Sequence, residues 1–210
     1  FPARALPLAR VLTEPGTRLG LSDIDGGFLF RLCEAAAVHG GMVCPHSENI
    51  EVALVLRARV LAAGADGLPA WNATRPPFVE AAALQTAALI ADAAGAQLYA
   101  VHTSSAAALR SRAAGMRVAI ETCPRYLTHD ETWDVGDVGK INPPLRTAAD
   151  REALWQGLLS GDIDTVATDH VHRAKAGPPL RPDLPSPAAT PLHPGRGPFP
   201  HRRRSRSYLA

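Results

Sequence analysis

The sequence predicts an α/β fold with a parallel sheet. Three strand-like apolar runs, Met42–His46, Leu98–His102 and Thr165–His170, are separated by helix-patterned segments. Strands alternating with helices of these lengths pair in parallel through right-handed crossovers. Each run ends in a group that binds cations or carries protons: His46, His102, and Asp169 with His170. A β/α barrel places its chemistry at the C-terminal ends of such strands. Two neutral imidazoles and a carboxylate converging there suit a divalent ion such as zinc.

The elements follow in order. Arg10–Thr13 reads as a short strand. Ser22–Asp25 caps a helix that runs through Phe28, Leu32 and Ala36 to His39 and ends at Gly40–Gly41. After strand 42–46, the spacing of Val52, Leu56 and Val60 predicts a helix over Asn49–Ala63. Turn residues throughout 64–77 predict a loop. Phe78–Ala94 is an Ala-rich helix stopped by Gly95. Strand 97–102 leads to a helix over 104–114, stopped by Gly115, and then to strand 117–122. Residues 130–142 are irregular. Thr147 is the expected N-cap of a helix over 147–159, with Asp150 at its third position. Strand 164–169 closes the series, giving about five strands, fewer than a closed eight-strand barrel needs.

The alternation ends after Asp169. Residues 177–200 contain nine prolines, and 202–206 read Arg-Arg-Arg-Ser-Arg. The expected organisation is a folded unit over 1–170 and a Pro/Arg-rich disordered tail over 171–210. The tail also explains the net charge of +2. It holds eight Lys/Arg against one Asp, whereas residues 1–170 hold fourteen against nineteen acids. The body is therefore mildly acidic, and no nucleic-acid partner is expected. No apolar run approaches the roughly 20 residues of a membrane span, so no membrane partner is expected either. Cys33, Cys44 and Cys123 lie far apart in apolar segments, without disulfide or zinc-ribbon spacing. A cytoplasmic setting fits them. The N-terminus has no signal-peptide layout and no initiator Met, so the chain is expected to start mid-protein.

The remaining polar residues carry open alternatives. His46 opens a polar turn, Ser47-Glu48-Asn49, where a backbone-bonded imidazole is the structural alternative to a ligand. The hydroxyls of Thr103-Ser104-Ser105 can cap the next helix and orient His102. A buried Asp169 needs a cation or donors. His170 can steer Asp169, bind substrate or simply pack, while His39 and His129 read as surface residues. Glu121 either supports the site or pairs with an Arg. Asn142, ahead of Pro143-Pro144, offers the donor and acceptor that an amide ligand requires, unless the segment is a plain loop. There is no Gly-x-Ser-x-Gly elbow and no phosphate-cradling loop.

An ordered set of motifs covers about residues 9–170. It comprises Val43-Cys44-Pro45-His46-Ser47-Glu48-Asn49, Arg75-Pro76-Pro77, Ala100-Val101-His102-Thr103-Ser104-Ser105, Glu121-Thr122-Cys123-Pro124-Arg125-Tyr126-Leu127, Lys140-Ile141-Asn142-Pro143-Pro144-Leu145-Arg146 and Ala167-Thr168-Asp169-His170. It resembles the cyclic-amide hydrolases of the amidohydrolase superfamily: dihydropyrimidinase/hydantoinase, allantoinase and dihydroorotase. The resemblance implies a (β/α)8 TIM-like barrel, present here as about strands four to eight, and hydrolysis of a C–N bond in a small cyclic amide. It implies His46 and His102 as ligands of one metal, Asp169 as ligand of another and proton carrier, and Asn142 as a substrate contact. A five-strand piece of such a barrel leaves two sheet edges unpaired, and a homo-oligomer is expected for that reason.

The chain departs from the family pattern at three places, one of them after His170, where the family continues with body sequence and the Pro/Arg-rich tail stands here. The family's His-x-His would lie upstream of residue 1. Its bridging carbamylated lysine is not found, since Ala9 or Arg10 stands there and Lys140 lies in another element. One zinc or similar ion at most is therefore expected. The alternative expectation is a non-catalytic relative or gene fragment acting, if at all, through oligomer assembly.

Overall fold

The computed structural model describes residues 24–112, 116–134 and 139–170. The expected strand Arg10–Thr13, the Gly115 stop and the tail lie outside the described residues. The elements are α1 (Gly26–Val38), β1 (Met42–Val43), α2 (Ile50–Ala62), α3 (Gly67–Thr74), α4 (Pro77–Ala93), β2 (Gln97–Ala100), α5 (Ala106–Leu109), β3 (Val118–Thr122), α6 (Pro124–Thr128), α7 (Ala148–Ser160) and β4 (Thr165–Val166).

The four strands form one parallel sheet in the order β1-β2-β3-β4. Met42 pairs with Gln97, Tyr99 with Ala119, and Glu121 with Thr165. Because side chains alternate along a strand, this register sorts them onto two faces. One face carries Val43, Leu98, Ala100, Val118 and Ile120, all buried against the helices with Leu29, Cys33, Leu84 and Leu154. The other carries Met42, Gln97 and Thr165, which are exposed, and Tyr99 and Ala119, which are half-buried. The core is thus one-sided among the described residues. The alanines of α4 at 87, 88 and 91 are buried in that core, where small side chains let the helix lie close to the strands.

Several caps match the sequence reading. Asp25 Oδ1 accepts from the Phe28 N–H at 2.6 Å. Asn49 caps α2 by accepting from the Val52 N–H at 3.1 Å. At α7 the Thr147 hydroxyl accepts from the Asp150 N–H while Asp150 accepts from the Thr147 N–H, a reciprocal capping box. Gly161 ends the helix at φ +83°, a left-handed conformation that glycine adopts without strain.

The structure corrects other expectations. Residues 64–77 are not a continuous loop, because α3 lies within them. Asp66 caps it through the Gly67 N–H at 2.7 Å, and Pro69 sits in the first turn, where its missing N–H costs no helical bond. Burial of Ala70, Trp71 and Thr74 holds the helix despite its turn-like composition. Over the described part of 104–114 the expected helix is a single turn, α5. Beyond it the Ser111 hydroxyl donates to the Ala107 and Ala81 carbonyls, competing with helical continuation. The edge strands β1 and β4 are two residues each, and Val166 is 43% exposed. Among the described residues no helix is long and apolar enough to cross a membrane.

Asp150 serves two helices, since its Oδ1 also accepts from the Ala106 N–H at the start of α5, at 3.0 Å. Loss of one cap costs about 1 kcal/mol. Thr147→Ala is therefore expected to lower stability in urea titration by about that amount, and Asp150→Ala by more. Equal losses would show that the Ala106 contact contributes nothing.

Candidate active site

The turns after β1 and β2 bring His46 and His102 together. His46 Nδ1 lies 3.0 Å from His102 Nε2, and the ring centroids are 4.7 Å apart in an edge-on arrangement. The other nitrogen of His46, Nε2, lies 2.8 Å from Glu48 Oε2. His46 is therefore not backbone-bonded; both of its ring nitrogens face side chains. Burial pushes the His102 imidazole down to about 3, and the neighbouring His46 ring and Arg125 guanidinium act in the same direction. It is neutral at ordinary pH, the form a metal ligand requires.

His102 has φ +43° and Asp169 has φ +46°; both lie in a region that L-residues enter at a cost. They are the non-glycine residues with positive φ among those described. Glu121 holds the first of them. Its Oε1 accepts from the His102 N–H at 3.1 Å, and its carbonyl accepts from the Thr103 N–H at 2.7 Å. Its Oε2 accepts from the Tyr99 hydroxyl at 2.8 Å, and Tyr99 also touches Thr165 Oγ1 at 2.7 Å. Glu121 thus supports the His102 turn rather than pairing with an arginine.

The hydroxyls of Ser104 and Ser105 do not orient His102 directly. They turn toward Glu80 of α4, which is 2% exposed. Glu80 accepts from the Ser104 N–H and hydroxyl at 2.7 Å each, from the Ser105 hydroxyl at 2.8 Å and from Arg146 Nη2 at 3.4 Å. Burial pushes the Glu80 carboxyl above its ordinary range, and Arg146 and the two serines act against that push. Arg146 Nε also donates to Ser104 Oγ at 2.9 Å, and its Nη1 donates to the Arg75 carbonyl. Arg75 in turn lies 3.5 Å from Glu48 Oε2. For Glu48, burial alone would raise the carboxyl, but the His46 bond and the Arg75 and Arg146 charges outweigh it and hold it below the usual carboxylate range. A buried network therefore runs from His46 through Glu48, Arg75, Arg146 and Glu80 to the serines beside His102.

Asp169 stands apart from this pair. Its side chain is 42% exposed, not buried, and Arg125 Nη2 donates to its Oδ2 at 3.0 Å. Arg125 Nη1 also donates to the Thr168 carbonyl at 2.9 Å. The apolar run before Asp169 is too short a strand to enclose it. His170 is exposed, as is His39. His129 is half-buried and stacks on Trp133 at 3.6 Å. Asn142 precedes a cis peptide to Pro143, and its buried Oδ1 has no hydrogen-bond partner. The loop around it is pinned by Trp71 Nε1 donating to the Ile141 carbonyl at 2.9 Å and by the Tyr126 hydroxyl donating to the Pro143 carbonyl at 2.7 Å. Lys140 is buried with its Nζ 4.4 Å from the Trp71 ring centroid. A cavity of about 390 Å³ opens beside His46 and Glu48, walled by α1 and α4; His102, Asn142 and Asp169 do not line it. Among the described residues, no group of three or more His, Cys, Asp or Glu side chains is placed to hold a metal.

Sequence reasoning assigned no role to Glu48, Arg75, Glu80, Arg125 or Arg146. One signal was available for Glu80: it is a charged residue in the first turn of an otherwise apolar, Ala-rich helix.

Removing one partner of a buried ion pair costs about 3–5 kcal/mol, because the other charge is left desolvated. Glu80→Ala is therefore expected to lower stability in urea by that amount, and Glu80→Gln by less because it keeps an acceptor for the serines. A loss below about 1 kcal/mol for Glu80→Ala would mean that water reaches Arg146 in its place.

No family model matches the chain. It is 40% identical over 148 residues to an allantoinase of Deinococcus radiodurans, covering 68% of this chain and 33% of that one. It is 36% identical over 159 residues to a dihydroorotase of Halobacterium salinarum, covering 75% and 36%. Other relatives are hydantoinases. Among solved structures it superposes on dihydropyrimidinase from Brevibacillus agri with a TM-score of 0.69 and 36% identity, covering 75% of this chain and 36% of that one. The chain thus spans about a third of the length of the curated relatives it matches.

Proposed function

We propose that this chain, a partial member of the cyclic-amide hydrolase family, carries part of a metal site for hydrolysing a ring C–N bond in a small cyclic amide. The reading rests on the facing His46 Nδ1 and His102 Nε2, 3.0 Å apart, within the segment matched to the named hydrolases. Two nitrogens each about 2.0–2.1 Å from one tetrahedral zinc are roughly 3.3–3.4 Å apart. The pair therefore fits an ion after opening by a few tenths of an ångström. When bound by His46 and His102, zinc supplies an activated water and polarises the ring carbonyl.

Asp169 is the proton carrier in this reading. It takes a proton from the attacking water and delivers it to the leaving nitrogen as the new C–O bond forms and the ring C–N bond breaks. To do so its carboxylate must turn from Arg125. Asn142 offers its unpartnered Oδ1 to an amide N–H. The four strands, with the expected strand at Arg10–Thr13, are read as part of a (β/α)8 barrel corresponding to about the family's strands four to eight, within a unit over 1–170 followed by the 171–210 tail. The three cysteines are free, which supports a reducing, cytoplasmic setting.

A second reading, a non-catalytic relative, is favoured by one observation: among the described residues the gathered ligand set stops at two imidazoles. Two measurements separate the readings. After dialysis, elemental analysis is expected to find at most one zinc-like ion per chain. Assays on hydantoin, dihydrouracil, allantoin and dihydroorotate are expected to give turnover well under about 1 s⁻¹, below the usual enzyme range, and His102→Ala should remove any that is seen. Two tightly held ions with fast turnover would overturn the half-site reading. Complete absence of bound metal and turnover would leave the non-catalytic reading.

The open sheet face and the edge strands β1 and β4 also support a homo-oligomer, since unpaired edges and wet apolar surface promote association. Sedimentation of the full chain is expected to show self-association. A sharp monomer with strongly protected β1 and β4 amides would show that the sheet is closed within one chain.

A further inference from the structure

We propose that Glu48 is a positioning residue that decides which nitrogen of His46 faces the cation, and that Arg75 holds Glu48 in place. This deepens the metal-site reading above and rests on it. Glu48 Oε2 is 2.8 Å from His46 Nε2. An ionised carboxylate only accepts, so Nε2 carries the proton. An imidazole that binds a cation is neutral and has a single N–H, so with Nε2 donating to Glu48 it is Nδ1 that presents its lone pair. Nδ1 is also the atom 3.0 Å from His102 Nε2. One contact therefore selects the tautomer and aims the free nitrogen at the second imidazole.

In the metal-free chain the contact between the histidines then requires the His102 proton on Nε2, which leaves His102 Nδ1 as a bare acceptor. That atom is buried and has no hydrogen-bond partner, so no acceptor stands there to hold a proton on it.

Glu48 is itself fixed from behind. Arg75 is 2% exposed, and its Nε lies 3.5 Å from Glu48 Oε2. The Arg75 guanidinium stacks 4.0 Å from the Trp71 ring centroid, and its Nη1 donates to Thr74 Oγ1 at 2.9 Å. The Arg75 carbonyl accepts from Arg146. The arginine is thus held at its ring stack, its guanidinium and its backbone, and a buried carboxylate beside it has one favourable place. The motif Arg75-Pro76-Pro77, which had no role in the sequence reading, gains one: it carries the counter-ion of the carboxylate that orients a ligand.

The test uses the full chain labelled with ¹⁵N-histidine. Long-range ¹H–¹⁵N spectra of the chelator-treated protein are expected to show His46 as the Nε2–H tautomer; the Nδ1–H tautomer would overturn the proposal. Co²⁺ affinity is then measured by competition with a chelator. Carboxylates of this kind contribute about 10–100-fold to metal affinity. Glu48→Gln, which keeps the shape and an acceptor but loses the charge, is expected to weaken Co²⁺ by about tenfold with an unchanged far-ultraviolet spectrum. Unchanged affinity in that variant would also overturn the proposal. If Glu48→Gln does not fold, the tautomer of the parent chain decides alone. If the parent binds no Co²⁺, the metal-site reading fails, and the tautomer still decides whether Glu48 sets His46.

Discussion

The arrangement depends on a carboxylate buried where an unpaired charge could not persist. Glu80 enters the interior from the first turn of α4, and its two oxygens accept from two serines and Arg146. The donors come from two separate parts of the chain: the turn after β2, which holds both serines, and the segment leading to α7, which holds Arg146. An uncompensated buried charge costs several kcal/mol, so these segments cannot drift from Glu80 independently. That restraint fixes the start of α5 and hence the turn that carries His102. It also holds Arg146, whose donation to the Arg75 carbonyl extends the restraint to the segment facing Glu48.

Each histidine is thus placed by a glutamate and not by chain geometry alone. Glu121 holds the His102 backbone in a left-handed conformation, and Glu48 holds the His46 ring. Both glutamates are 7% exposed and depend on other fixed groups. Backbone strain of this type persists only where the surroundings over-determine it. At His102 the surroundings are the Glu121 carboxylate, the Glu121 carbonyl and the Thr122 hydroxyl, which donates to the Thr103 carbonyl at 2.7 Å.

The sequence made the architecture readable where one physical signal dominated. Period-2 and period-3.6 patterns with glycine stops located α1, α2, α4, α7 and the strands between them, and Thr147 with Asp150 marked a helix start that the structure shows as a capping box. The pairing of His46 with His102 was legible because both close strands that turn out to be neighbours. Helix α3 was hidden because Gly67 and Pro69 read as turn residues, while the burial of Trp71 that holds the helix is a tertiary fact. The environment of Asp169 was misread for a related reason: an apolar run suggests enclosure, but a two-residue edge strand encloses little. The arginine and glutamate network was invisible because its members are spread from Glu48 to Arg146, and no local pattern relates residues brought together only by folding.

This network separates the construction of the site from its use. The histidines are oriented by carboxylates whose remaining contacts are arginines, backbone groups and hydroxyls, and none of these contacts requires a metal ion. In metal sites where the ion is the main cross-link, folding and binding are one event. Here the cross-links are Glu80 with Arg146 and Glu48 with Arg75, so the imidazole pair is preorganised by the polypeptide. Preorganisation lowers the ordering cost that a ligand would otherwise meet. The two imidazoles therefore keep a defined spacing, 3.0 Å between His46 Nδ1 and His102 Nε2, without an ion between them. For the same reason the pair can persist as a structural feature in a chain that no longer turns over substrate. The placement of His46 and His102 thus reflects the buried charges behind them and not a bound ion.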